Sequence, residues 1–317
     1  MPSDHPAVSI LIPAYNVTPY IAEALDSVFA QTFHDFEVIL VNDGCPDTVN
    51  LEAALQPYLP RIHYLKQANG GPSAARNTAI REARAPLIAL LDGDDAWMPD
   101  YLEYQLSYLR EHPAVDLVYP NMLNVGGLHD GTLVMEMTPS EGEANLLSLL
   151  LQRCIVLNGV TMRKDIVFRA GLWDPDMRHS EDFDLWVRIA RIGNLAYHRR
   201  PLVRRRVLAS SLSAVPERML RGQLRVYSKM EPLSELSPAD RERVREKARA
   251  VQLELDVESG WSAIFRGDAR AAIEHWSAAQ ASRHSSKLSV ALGLLRWFPQ
   301  PAVSVMRHYG RKRRATS

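Results

Sequence analysis

Two short acidic runs carry the chemistry that can be read most directly from this chain: Asp92-Gly93-Asp94-Asp95 and Ser180-Glu181-Asp182-Phe183-Asp184. Three carboxylates within four residues repel one another, and holding them together calls for a compensating cation or hydrogen-bond donor. Mg2+ or Mn2+ takes hard oxygen ligands, commonly one or two carboxylates together with substrate phosphates, which is the arrangement needed to neutralise a departing diphosphate. The plainer alternative is an acidic turn capping a helix that Pro99 opens. In the second run Ser180 reads as an N-cap, with Phe183, Trp186, Val187 and Ala190 forming the apolar face of a helix. Glu181 and Asp182 in its first turn suit the helix macrodipole. Beside a bound sugar, a carboxylate held there also serves as a general base toward an attacking hydroxyl.

Three further groups of residues join them. Asp43, in Val41-Asn42-Asp43-Gly44, is either a turn residue or an acceptor for the imide hydrogen of a pyrimidine base. Tyr15, in Pro13-Ala14-Tyr15-Asn16, is a rim residue or a ring that stacks on that base. Asn69-Gly70-Gly71-Pro72-Ser73-Ala74-Ala75-Arg76-Asn77 sets two glycines before a helix, which permits close backbone approach and offers unpaired N–H groups. It lacks the GK[ST] ending of a P-loop. Taken alone, Arg76 reads equally as a ligand or as a surface ion-pair partner.

The elements that must position these residues alternate in the βαβ manner. Val8–Ile12, Phe36–Val41, Ile62–Leu65 and Leu87–Leu91 read as strands, the last an unbroken apolar run suited to a strand covered on both faces. Thr18 and Pro19 read as the start of a helix carrying Ile21, Leu25, Val28 and Phe29, and a second helix runs from Ser73 to about Ala83. A further helix opens at Pro99, and a strand follows at Val115–Tyr119. The groups around Tyr15, Asp43, Gly70-Gly71 and Asp92 follow the first four strands, at the edge where open α/β sheets bind ligands. Residues 120–178 are less regular, with an apolar helix at Leu146–Leu151 and a strand-like Val160–Met162. Beyond about Ser213 the chain is mostly helical.

The order PAYN, VNDG, GGPSAARN, LDGDD and SEDFDLW resembles family 2 glycosyltransferases with the GT-A fold, over about residues 6–213. That resemblance implies an α/β domain with a mixed, mainly parallel central sheet over residues 1–213. About 1–119 would form the nucleotide-binding half and 120–213 the acceptor-binding half, followed by a helical region with a basic tail over 214–317. It implies an enzyme that transfers a sugar, with inversion, from a nucleotide diphosphate sugar to a saccharide or lipid-linked hydroxyl in polysaccharide, lipopolysaccharide or glycoconjugate synthesis, with UDP-sugars favoured. By the same resemblance Pro13, Ala14, Tyr15, Asn16, Asp43, Arg76, Asp92, Gly93 and Arg206 line the donor, and Asp94 with Asp92 holds Mg2+ or Mn2+. Asp182 is the base, with Glu181 and Trp186 toward the acceptor. Two departures stand out: Asn42 where many members have Asp, and Leu208 where a His commonly follows the phosphate-facing Arg206 by two positions. A nucleotide-sugar-binding regulator remains an alternative, although a pure binder has no use for Asp182. Nucleotidyl transfer would call for a Gly-rich triphosphate loop after Ile12, which is not seen.

Composition adds bounds. The 317 residues are 46% hydrophobic, with 37 Lys and Arg against 37 Asp and Glu, so charge does not point to nucleic acid. Two isolated cysteines, Cys45 and Cys154, suggest neither a disulfide framework nor a zinc site. The N-terminus reads as a strand instead of a signal peptide, and no run reaches the roughly 18 apolar residues of a membrane span. The expectation is a cytoplasmic protein. Leu292, Leu295, Trp297 and Phe298, followed by Arg307 and Arg311 to Arg314, read either as an apolar helix face packed on the domain with a solvated basic tail, or as an amphipathic basic end in peripheral contact with an anionic leaflet at the inner membrane face.

Overall fold

Every position of β1 (Val8–Ala14) except Pro13 is buried, including Ser9, as befits a strand with elements on both faces. The computed structural model describes residues 5–137, 144–208 and 215–315. After β1 come α1 (Ile21–Phe29), β2 (Phe36–Asp43), α2 (Thr48–Leu55), β3 (His63–Gln67), α3 (Pro72–Glu82) and β4 (Leu87–Leu90). The four strands lie in the order β3-β2-β1-β4, all parallel. Their C-terminal ends therefore share one edge. α1 buries Ile21, Ala24, Leu25 and Val28, the i, i+3, i+4, i+7 stripe of a helix packed on a sheet.

The same sheet continues with β5 (Ala96–Trp97), β6 (Leu117–Val125), β7 (Thr161–Arg163) and β8 (Leu195–Arg206), giving the order β3-β2-β1-β4-β7-β6-β8-β5. β7 runs antiparallel to both β4 and β6, β6 is parallel to β8, and β5 is antiparallel to β8. The sheet is mixed and mainly parallel. The intervening helices are α4 (Tyr101–Glu111), α5 (Val134–Met137), α6 (Leu146–Leu150), α7 (Lys164–Arg169) and α8 (Glu181–Ala190).

Several boundaries differ from the sequence expectation for local reasons. The amides of Tyr20 and Ile21 both bond to the Val17 carbonyl, so residues 17–20 form a turn and α1 begins at Ile21, without a Thr18 cap. Ser180 is not a side-chain cap either: it sits at φ 58° and makes no capping bond. Its carbonyl instead accepts from the Asp184 amide. β6 extends to Val125 because it pairs with β8 beyond Tyr119, across register shifts at Asn121.

The contacts divide the chain into Met1–Ala214 and Val215–Ser317. The second unit is helical: α9 (Pro216–Met230), α10 (Pro238–Arg266), α11 (Ala269–Ser282), α12 (Ser286–Trp297) and α13 (Pro299–Ala315). α10 and α11 form a hairpin whose corner is Gly267, left-handed at φ 90°, followed by Asp268, whose side chain caps α11 at the Ala271 amide. Trp276 closes the hairpin against Gly260, where an added Cβ would come 2.1 Å from the indole nitrogen and 2.2 Å from Cδ1. The core of this unit includes Ile264, Trp276, Leu292 and Leu295. Leu292 and Leu295 are thus interior packing residues, not part of an exposed membrane-facing stripe. Trp297 and Phe298 remain outside, 80% and 61% exposed. The side chains of Arg311 to Arg314 lie outside the described residues. Among the described residues no helix is long and apolar enough to cross a membrane.

Candidate functional site

The parallel strand ends bring the candidate residues to one rim. β2 ends in Asp43, which is buried and accepts three hydrogen bonds: Oδ1 accepts from Gln67 Nε2 at 2.7 Å and from the Gly70 amide at 2.8 Å, and Oδ2 from the Gly71 amide at 2.8 Å. Gly44 allows this closeness, since a Cβ there would lie 2.7 Å from the Asn69 nitrogen. Asp43 therefore shapes the Asn69–Gly71 turn that launches α3. Asn42 is a scaffold residue as well, donating to Thr48 Oγ1 and Tyr64 Oη and accepting from the Cys45 amide.

α3 delivers the central group. Arg76 is buried, and its guanidinium reaches three carboxylates: Nη2 donates to Asp92 Oδ1 at 2.9 Å, while Nη1 donates to Asp182 Oδ1 at 3.0 Å and Glu181 Oε1 at 3.2 Å. Of its two readings, the surface ion pair is excluded by burial. Instead of standing free for a base or diphosphate, Arg76 is committed to the acidic runs, joining the loop after β4 to the start of α8. Burial alone would lower its proton affinity, but Asp182, Asp92 and Glu181 together raise it above the ordinary value.

Asn77, the next residue, works through Trp173. Its Nδ2 donates to the Trp173 carbonyl at 2.7 Å and its Oδ1 accepts from the Trp173 amide at 3.0 Å. Trp173 Nε1 in turn donates to Asp182 Oδ1 at 3.0 Å. Asp182 thus receives a guanidinium and an indole on one oxygen. Burial pushes its pKa up against the lowering pull of Arg76. Glu181 is pushed up to about 7, by burial and then by Asp182, again opposed by Arg76.

At the other acidic run, Asp92 accepts from Asn158 Nδ2 at 2.9 Å on its second oxygen. Asp95 accepts from the Arg206 amide at 2.8 Å, and Arg206 Nε donates to the Asp94 carbonyl at 3.1 Å. These bonds follow from the β5–β8 pairing, which lays the end of β8 along the residues just after the acidic turn. Arg206 also pairs with Glu23 and lies over the Tyr20 ring, 4.8 Å from its centre. Asp94 is pushed up to about 6 by burial and by Asp92. Asp95 is raised well above its ordinary value, by burial first and then by Asp92 and Asp94.

Among the described residues no group of three or more His, Cys, Asp or Glu stands as a ready-made metal cage. The donor set fits a hard divalent cation shared with substrate phosphates. Asp94 offers a half-buried carboxylate whose charge is disfavoured as it stands, and each Asp92 oxygen that accepts one hydrogen bond keeps a second lone pair.

Other expected residues divide by exposure. Tyr15 and Asn16 are exposed at the rim, while Ala14 is buried, which leaves its side chain no room to touch a ligand. Pro13 is half-buried at the end of β1. Gly93 is buried where a Cβ would lie 3.0 Å from Val17, so packing of the turn on the segment before α1 accounts for it. Trp186 is corrected outright: at 1% exposure it cannot contact an acceptor, and it supports Trp173 edge-on at 6.4 Å between ring centres. Trp173, Asn158, Glu23 and Tyr20 were not anticipated. They lie in loops or on a helix turn whose local patterns name no chemistry, and only the Gly171-Leu172-Trp173 turn offers a signal, a large ring in an irregular segment.

A mixed sheet with an acidic turn after its fourth strand and a second acidic pair at a helix start defines the GT-A class of α/β domain. Within the N-terminal unit, residues 9–164 match the model of glycosyl transferase family 2. An uncharacterized glycosyltransferase of Rickettsia prowazekii is 30% identical over 209 residues, 65% of this chain and 65% of that one. The chain spans only 30% of the length of matching glycosyltransferases from Rickettsia bellii and Rickettsia felis. Among solved structures, S. aureus TarS in complex with UDP-GlcNAc superposes with TM-score 0.65 at 15% identity, covering 96% of this chain and 91% of that one. A Pyrobaculum calidifontis mannosyltransferase in complex with GDP-Man and Mn2+ gives TM-score 0.61 at 19% identity over 97% and 86%. At such identities these two likenesses establish the fold.

Proposed function

We propose that the protein is an inverting glycosyltransferase that moves a sugar from a nucleotide diphosphate donor to a hydroxyl of a saccharide or lipid-linked acceptor. One observation carries the reading: a single buried guanidinium touches both Asp92 and Asp182, so carboxylates far apart in sequence converge on one rim. In this reading the first 119 residues hold the donor, with Tyr15 and Asn16 at the base and Arg206 toward the diphosphate. The TarS and mannosyltransferase complexes, which hold UDP-GlcNAc and GDP-Man, support a nucleotide sugar as donor. UDP-sugars are favoured.

Asp182 acts as general base. Its Oδ1 is fixed by Arg76 and Trp173, which orients Oδ2 for the acceptor. Burial raises its proton affinity, which strengthens it as a base so long as it stays ionised at the working pH. The acceptor proton passes to Asp182 as the acceptor oxygen bonds to the anomeric carbon. The bond from that carbon to the diphosphate breaks on the opposite face and the nucleoside diphosphate leaves. Asp94 and Asp92 would hold Mg2+ or Mn2+, which supplies neutralisation of the leaving charge when bound; the Mn2+ complex of the mannosyltransferase supports the assignment. Glu181, beside Asp182, faces the acceptor side.

The test is release of nucleoside diphosphate from a small panel of nucleotide sugars. Asp182→Asn is expected to keep donor binding and lose turnover by about 10²- to 10⁴-fold. Parental turnover in that variant would refute the base assignment, and binding of donors with no release from any of them would favour a regulator.

A further inference from the structure

The second unit carries an exposed apolar surface to which the transfer chemistry proposed above assigns no role. Val290, Leu294 and Trp297 stand at i, i+4 and i+7 on α12 and so form one stripe of that helix. All three are exposed, as are Phe298 at the junction with α13 and Val305 on α13. Leu292 and Leu295 on the other side of α12 are buried, so the helix is apolar on both faces and only one of them has a partner within the unit. Large exposed apolar side chains concentrated in sixteen residues mark a contact surface instead of scattered surface hydrophobics.

Charge indicates what covers it. After Glu274 the remaining 43 residues contain eight Lys and Arg and no Asp or Glu, although the whole chain is balanced at net charge +0. Arg283, Lys287 and Arg296 on or beside α12 are exposed, whereas Arg307 is committed to the Ile264 carbonyl at 2.8 Å. Two copies meeting through this face would oppose like charges, and a nucleic acid gains nothing from an aliphatic stripe. Aromatic rings at a helix end, flanked by long cationic side chains, match the boundary between lipid headgroups and acyl chains.

We propose that the α12–α13 face docks on an anionic bilayer surface, with Trp297 and Phe298 entering the interface and Arg283, Lys287 and Arg296 at the headgroups. The inference is independent of the transfer chemistry. It is tested with the full chain by co-sedimentation with vesicles of phosphatidylcholine alone and of phosphatidylcholine mixed with phosphatidylglycerol, at low and high salt. The expected result is pelleting with the anionic vesicles, weakened several-fold by high salt. The double variant Trp297→Ala, Phe298→Ala is expected to bind about ten- to a hundredfold more weakly with an unchanged melting curve, because both rings lie outside the core. Donor turnover in free solution should not change, so failure here and failure of the transferase reading are separable. The proposal is overturned if the parent pellets with neither vesicle or equally with both, or if the double variant pellets like the parent. A concentration-dependent dimer that the double variant abolishes, without vesicle binding, would also overturn it.

Discussion

Replacing Arg76 by Met removes a cation that touches all three of Asp92, Glu181 and Asp182, whose contacting oxygens lie 2.9 to 3.2 Å from it. The side chain is 4% exposed, so solvent cannot take over its role. Breaking a buried ion pair from one side costs about 3–5 kcal/mol, since the remaining charges are left uncompensated. A unit of this size loses about 2–4 °C of melting temperature per kcal/mol, which predicts a fall of about 6–20 °C for the N-terminal unit. The deficit should also depend on pH. Glu181 is already raised to about 7 with Arg76 present, and without Arg76 it rises further above its unfolded value. A carboxylate raised in the folded state destabilises fully above its folded pKa, and the cost disappears as pH falls below the unfolded value. Melting in chelator should therefore show the largest gap from the parent near pH 8 and a smaller one near pH 5, with Arg76→Lys in between because one ammonium cannot span three carboxylates. A variant melting within about a degree of the parent near pH 8, or a gap that widens in acid, would mean that the network does not hold the rim together.

Trp173→Phe keeps a ring against Trp186 and removes only the donor to Asp182. It is expected to lower kcat about ten- to a hundredfold with donor KM unchanged, and to move the acidic limb of the pH profile upward, in steady-state assays of transfer. Gly260→Ala places a Cβ against the Trp276 indole and should destabilise the helical unit by at least about 1–3 kcal/mol, read as a lower melting transition that leaves donor turnover unaltered. His198 is held neutral by burial, with its pKa lowered to about 4. An unfolded His titrates near 6.5, so stability should be complete above that pH and fall on the order of 2–3 kcal/mol as pH drops toward about 4, a slope that His198→Gln flattens in denaturant titrations.

In the β1 to β4 half of the sheet, β1, β2 and β4 were legible from their runs of Val, Ile and Leu, and α1 from its apolar stripe, signals that depend only on neighbours in sequence, whereas α2 (Thr48–Leu55), which buries only Leu51 and Leu55, gave no such stripe. The acidic runs were legible because three carboxylates in four residues are costly without a reason. What pattern reading could not supply was the partner of each group. Arg76 and Asn77 lie side by side in sequence, yet one crosses to Asp182 directly, 106 residues away, and the other reaches it through the backbone and indole of Trp173, 96 residues away. Trp186 was misplaced for the same reason: its position on an amphipathic helix does not tell whether a ring faces a ligand or supports the residue that does. The helix start expected at Thr18 lies at Ile21 because the Tyr20 and Ile21 amides are already taken by the Val17 carbonyl, while α8 does begin after Ser180 and lacks only the side-chain cap, since φ 58° is not the extended geometry a capping Ser adopts.

Counting charge at the rim leads to a last consequence for donor binding. Asp92, Asp94, Asp95, Glu181 and Asp182 face Arg76, Arg205 and Arg206, and Arg206 is already paired with Glu23. A nucleotide diphosphate brings further negative charge to a place where burial already pushes Asp94 and Asp95 toward protonation. One added charge pair at about 4 Å is worth about 4 kcal/mol at the dielectric of a half-buried site. On the proposed function, donor and divalent cation must therefore bind as a unit, and titration calorimetry with UDP or GDP should show affinity falling about 10²- to 10³-fold when the cation is chelated. Asp94→Asn should bind the nucleotide with little dependence on added Mg2+ or Mn2+. Equal affinity of the parent with and without cation would show that Arg206 and the backbone alone neutralise the diphosphate, and the acidic turn would then revert to a purely structural role.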